Sequence, residues 1–215
     1  MTSSGFHEDV KMELGSVELA GILDLPRDPV GLILFAHGSG SGRLSTRNNF
    51  VAGKIRQSGF GTLLFDLLTP KEAEDRRNVF DIGLLSSRLL AARAWAGRHP
   101  GVEGLGIGYF GASTGAAAAI RASADDPAGI VAIVSRGGRP DMASDCLGRV
   151  MAPTLLIVGG YDDLVLELNR EAFGMMKCEK ELVVVPGATH LFEEPGKMEE
   201  VALLAERWFS THFKK

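Results

Sequence analysis

The residues able to do chemistry in this chain gather at the ends of short apolar runs. The most specific group is Gly111-Ala112-Ser113-Thr114-Gly115, a G-x-S-x-G pattern that follows the apolar run 104–110 and opens an alanine-rich stretch, 114–124, with helical character. A strand-to-helix turn this sharp leaves almost no room for side chains at the flanking positions. It holds the serine in a strained backbone with its hydroxyl exposed, and the helix N-terminus adds a positive field where negative charge develops. A serine hydroxyl is a weak nucleophile and needs a positioned base. Of His7, His37, His99, His190 and His212, His190 is the candidate. It follows the last apolar run, in Pro186-Gly187-Ala188-Thr189-His190, and a loop beyond the final strand can bring it beside the serine in the chain order Ser, Asp, His. His7, His99 and His212 read as surface residues, and His37 as a hydrogen-bonding residue that shapes its own loop.

A base of this kind needs an acid to fix its tautomer and stabilise the imidazolium. After the penultimate run the chain reads Gly159-Gly160-Tyr161-Asp162-Asp163, where two carboxylates compete. Asp162 is favoured for the histidine, with Asp163 capping or solvating the helix that follows; the sequence leaves Asp163 open as the alternative. An oxyanion would be held by the backbone N–H of Thr114 and one from the loop His37-Gly38-Ser39-Gly40-Ser41-Gly42, most simply that of Ser39. This loop has neither the G-K-[ST] of a phosphate-binding loop nor a G-x-G-x-x-G opening a helix, so nucleotide binding is not expected.

Two residues are candidates for substrate binding. Arg136, after the run 129–134, would recognise a substrate carboxylate, against a salt-bridge or capping role in its loop. Tyr161, with Leu67, Leu68 and Phe192, would supply apolar walls, although packing is the commoner fate of such residues. The polar stretch Arg43–Asn49 either gates a pocket or caps the next helix through Thr46 or Asn48.

The elements that must position these groups are legible from pattern. Residues 16–25 roughly alternate apolar and polar, as in an edge strand or hairpin with one solvated face. The runs 31–36, 61–65, 104–110, 129–134, 154–158 and 181–185 are almost wholly apolar and too short for helices, which suits strands of a parallel sheet buried on both faces. Between them, Ile82, Leu85, Leu89, Ala92 and Ala96 form a helical stripe that Asn78 or Asp81 would cap, and 166–176 and 196–212 also read as helices. Strand and helix in alternation imply a doubly wound α/β fold, and chemistry in such folds sits at the carboxyl ends of the strands.

Length and composition bound the rest. The 215 residues suit one domain, 1–215, and the formal net charge is −4 with no basic run, so nucleic acid is not an expected partner. Cys146 and Cys178 lack the spacing of a zinc site, and neither a metal nor a cofactor is expected. No apolar run approaches a membrane span and residues 1–9 do not look like a signal peptide, so a cytoplasmic protein is expected.

Taken together, His37-Gly-x-Gly, the G-x-S-x-G at Ser113, Gly159-x-x-Asp162 and then His190 resemble the α/β-hydrolase family along essentially the whole chain. The compact size, without a long insertion after the run 129–134, resembles its dienelactone-hydrolase-like branch. That resemblance implies a mostly parallel sheet with helices on both faces, no large cap domain, and hydrolysis of small-molecule esters or lactones. Dienelactone hydrolase itself is similar in layout but uses a cysteine where this chain has Ser113. The fold also hosts peptidases, thioesterases and non-catalytic binding proteins; a binding protein would not need serine, acid and histidine together.

Overall fold

The computed structural model describes residues 5–213, which build one eight-stranded sheet with helices on both faces. The strands are β1 (Phe6–Leu14), β2 (Val17–Leu25), β3 (Leu32–Ala36), β4 (Gly61–Phe65), β5 (Ile107–Ala112), β6 (Ile130–Arg136), β7 (Thr154–Gly159) and β8 (Lys180–Val185), in the spatial order β1-β2-β4-β3-β5-β6-β7-β8. The β1–β2 and β2–β4 pairs are antiparallel and the five others parallel. The helices are α1 (Thr46–Gln57), the short α2 (Pro70–Ala73) and α3 (Arg76–Val79), α4 (Ile82–Ala96), α5 (Thr114–Asp125), α6 (Asp163–Met175) and α7 (Lys197–His212).

The apolar runs are continuous because both faces of each central strand are covered. On β3, Leu32, Leu34 and Ala36 join the core beneath α4 and α5, while Ile33 and Phe35 join the core beneath α1 and α7. On β6 the same alternation sends Ile133 to the first core and Ala132 and Val134 to the second. Arg136, two residues past Val134, therefore starts on the α1/α7 face.

Some sequence-based expectations need correction. The N-terminal segment carrying His7 is strand β1, closing a hairpin with β2 across a turn at Gly15, where φ is +69°. Its signal was weak because only Val10, Met12 and Leu14 point inward and the alternate residues are solvated. His99 is not a simple surface residue: it lies between Phe6 and Trp95, at ring separations of 6.0 and 5.1 Å. His212 stacks edge-on against Trp208 at 4.5 Å rather than fraying. Helix α1 is capped by neither Thr46 nor Asn48 but by Ser45, whose side chain accepts from the Asn48 N–H, and α4 is capped by Asp81. No helix among the described residues is long and apolar enough to cross a membrane.

Candidate active site

Strand β5 ends at Ala112 and helix α5 begins at Thr114, so the whole reversal falls on Ser113, with φ 52° and ψ −122°. A non-glycine residue in this region costs on the order of 1–3 kcal/mol and must be held by its surroundings. Here the Ser113 N–H donates to the Arg136 carbonyl at 3.2 Å, and its own carbonyl accepts from the N–H groups of Ala116 and Arg139, each at 3.1 Å. The two glycines of the motif are there for space. A Cβ on Gly111 would lie 2.4 Å from the Ala116 Cα, and one on Gly115 would lie 2.1 Å from the Ala36 carbonyl oxygen.

The candidate acid and base follow adjacent strands. Asp162 ends the turn after β7, and its Oδ2 lies 2.6 Å from Nδ1 of His190, on the loop after β8. Asp162 is the N-cap residue of α6, yet its side chain makes no cap hydrogen bond; the carboxylate is turned to the histidine instead. Asp163 is an exposed first-turn residue of α6. With Asp162 accepting at Nδ1, the neutral imidazole carries its free lone pair on Nε2. The two loops are zipped by Gly160 N–H to Val185 O at 2.8 Å and Tyr161 N–H to Ala188 O at 2.9 Å. Glu194 secures the far side, accepting from the Thr189 hydroxyl at 2.6 Å and the Thr189 N–H at 3.1 Å.

Ser113 and His190 approach one another through the segment after β6. The Arg136 carbonyl takes the Ser113 N–H, and a Cβ built on the next residue, Gly137, would lie 3.5 Å from Nδ1 and Cε1 of His190. Serine and histidine thus flank one peptide, on the same edge of the sheet, without a direct side-chain hydrogen bond within 3.5 Å.

The loop after β3 closes the other side of Ser113, and a Cβ on Gly38 would sit 3.0 Å from the Ser113 Cβ. His37 holds this loop. Its Nδ1 donates to the Gly38 carbonyl at 2.9 Å and its Nε2 accepts the Leu67 N–H, also at 2.9 Å, so the ring bridges β3 and β4 in the neutral state. Burial pushes its pKa below the usual histidine value, against weaker opposing effects of the Gly38 carbonyl and Asp66. Asp66 ties the end of the loop by accepting from the backbone and the guanidinium of Arg43. Beside this loop lies a chamber of about 300 Å³ with Ser39 and Thr114 on its wall and Leu67, Leu68, Pro70, Val79 and Leu85 as its apolar lining.

Arg136 and Tyr161 lie apart from that chamber. Arg136 is 7% exposed, its Nε has no partner, and its guanidinium lies 6.0 Å from the Phe192 ring centroid. Tyr161 is 72% exposed. Leu67 and Leu68 line the chamber, whereas Phe192 is a core residue held at φ 58°. Asn169 escaped sequence reasoning. Fully buried on α6, it donates through Nδ2 to the Gly138 carbonyl at 2.9 Å and so pins the segment between Ser113 and His190. An amide within the inward stripe Val165, Leu166, Asn169, Ala172 was the available signal.

The sheet order, the strained serine turn and the acid–histidine pair at the carboxyl edge define an α/β hydrolase. No family model matches the chain. The solved dienelactone hydrolase of Anabaena variabilis ATCC 29413 superposes with a TM-score of 0.95 at 48% identity, over 98% of this chain and 99% of that one. The chain belongs to the dienelactone hydrolase family. Est1E of Butyrivibrio proteoclasticus shares the fold, with a TM-score of 0.83 at 16% identity over 96% of this chain and 99% of its own. Two Mycobacterium tuberculosis proteins, from strains CDC 1551 and H37Rv, carry the name "Putative phosphoribosyl transferase" and are 56% identical over 205 residues, 95% of this chain and 46% of theirs. The chain therefore spans about half the length of these curated relatives.

Proposed function

We propose that this protein is a serine hydrolase that cleaves small carboxylic esters or lactones through an acyl-enzyme. The observation that carries the reading is the 2.6 Å contact of Asp162 with His190 on the same sheet edge as the strained Ser113. Ser113 Oγ attacks the carbonyl carbon while His190 Nε2 takes the hydroxyl proton, and Asp162 stabilises the resulting imidazolium. The carbonyl oxygen becomes an oxyanion that accepts from the N–H groups of Thr114 and Ser39. Collapse of this intermediate breaks the bond to the leaving alcohol, which departs with the proton from Nε2. Water then attacks the acyl-enzyme by the same route, returning Ser113 and releasing the acid. The apolar chamber beside Ser39 and Thr114 suits the hydrocarbon part of a small substrate.

A fluorophosphonate probe read by peptide mass spectrometry tests this. The expected result is an adduct on Ser113 in the wild type and a strongly reduced one in His190→Ala. A folded wild type without adduct would favour a non-catalytic binding role on the same fold. Cys146 and Cys178 are free thiols, which fits a reducing, cytoplasmic compartment.

A further inference from the structure

The chamber beside Ser113 has one wall unlike the rest. Leu67, Leu68 and Leu85 belong to the buried core, but Pro70, Ala73 and Val79 come from the segment 69–81 that links β4 to α4. No residue from Thr69 to Asp81 is buried, and α2 and α3 are single turns of four residues each. Val79 is half-buried against the core and Phe80 is exposed. A segment that buries so little apolar surface is fixed by its polar contacts, and it opens at a lower free energy than the core does.

Those polar contacts meet at Glu72. Its N–H donates to Thr69 Oγ1 at 3.2 Å, and its Oε2 accepts the Thr69 N–H at 2.9 Å, a reciprocal cap on α2. Its carbonyl accepts from the Asn78 side chain at 2.9 Å, which ties α3 to α2. These bonds stay within the segment. Apart from the cap of α4 by Asp81, one hydrogen bond among the described residues joins the segment to the rest of the protein: the Arg88 guanidinium, on α4, donates to Glu72 Oε1 at 2.7 Å. The Arg88 and Glu72 side chains are 14% and 24% exposed, so salt screens this pair less than one in open solvent.

We propose that the Glu72–Arg88 pair latches this wall against the chamber, and that the two act as positioning residues which set the enzyme's preference for uncharged acyl chains longer than acetyl. This rests on the hydrolase reading above and names its substrate class. With the latch closed, Pro70, Ala73 and Val79 complete an apolar enclosure, and each methylene that an acyl chain places there leaves water. An acetyl group held at Ser113 is too short to gain from it. The ionisable groups on the chamber lining are His37, held neutral, and Asp66, whose carboxylate already accepts from Arg43. Arginine and lysine are absent from the lining, so a carboxylate on the substrate would lose its water without gaining a cation.

The test compares kcat/KM for nitrophenyl hexanoate and nitrophenyl acetate in the wild type, Glu72→Gln, Arg88→Met and Arg88→Lys. Glutamine keeps the cap on α2 but removes the charge that meets Arg88. The wild type should prefer hexanoate. Glu72→Gln and Arg88→Met should each lower the hexanoate-to-acetate ratio by about three- to fivefold, the upper range for an ion pair near the surface, through a higher KM for hexanoate and with kcat for acetate within about twofold of wild type. Arg88→Lys should retain most of the ratio, and the double variant Glu72→Gln/Arg88→Met should be no worse than either single one, because both release the same latch. A wild type without preference for hexanoate overturns the proposal. So does an unchanged ratio in Glu72→Gln, or an equal loss on both esters in folded variants, which marks a merely structural pair. A folded wild type that turns over neither ester overturns the hydrolase reading, and the selectivity of this wall falls with it.

Discussion

Replacing Asp162 by Asn separates the catalytic reading from a structural one. The carboxylate accepts from His190 Nδ1 at 2.6 Å, which leaves Nε2 free to take the Ser113 proton. An amide in its place can present its NH₂ to Nδ1. The ring then carries its proton on Nε2 and cannot act as the base, and removing this control of tautomer is expected to lower kcat by about 10⁴-fold. Stability should move little. Asp162 makes no cap hydrogen bond to α6, and asparagine is at least as good an N-cap residue, so no helix-capping contact is lost. Asp163→Asn is the matched control: it removes an exposed first-turn charge worth about 0.3–1 kcal/mol to the helix and should leave turnover nearly intact. Steady-state hydrolysis of a short aryl ester and thermal melts followed by circular dichroism read both quantities. If Asp162→Asn keeps more than about a tenth of wild-type kcat, or Asp163→Asn is the worse of the two, the assignment of the acid fails.

Three further outcomes follow from the same geometry. Gly115→Ala should destabilise the fold by about 1–3 kcal/mol, because its Cβ would fall 2.1 Å from the Ala36 carbonyl oxygen; an unchanged denaturation midpoint would contradict this. His37 is held neutral, so the unfolded chain gains its proton first as pH falls. Stability contributed by His37 should be complete above about pH 6.5 and decline as pH drops below it, and urea melts of His37→Gln should show a flatter pH dependence than the wild type. Leu68→Trp should narrow the chamber and lower kcat/KM for hexanoate esters more than for acetates; equal losses would remove the chamber from the substrate path.

The local chemistry of this protein was written in short windows. Five residues around Ser113 specify a turn that needs glycine at positions 111 and 115, because backbone fills the space where a side chain would lie. The runs that became β3 to β7 were readable because burial on both faces removes polar alternation, whereas β8, at the sheet edge, is only partly buried. Strand β1 was faint because it is half-solvated, and Asn169 was passed over because one amide on an apolar stripe gains its meaning from the Gly138 carbonyl across a loop. The sequence left Asp162 and Asp163 as neighbours with the same chemistry. Only the pairing of β7 with β8 brings the His190 loop to one of them, and backbone geometry alone sends the other to solvent. The same holds for Arg136. Its type and place after β6 left anion recognition and a salt-bridge or capping role open, and only the fold shows that the side chain is buried without an ion-pair partner among the described residues. A short window can name the residue types a turn needs, whereas the environment of a charge is set by whatever the fold brings around it.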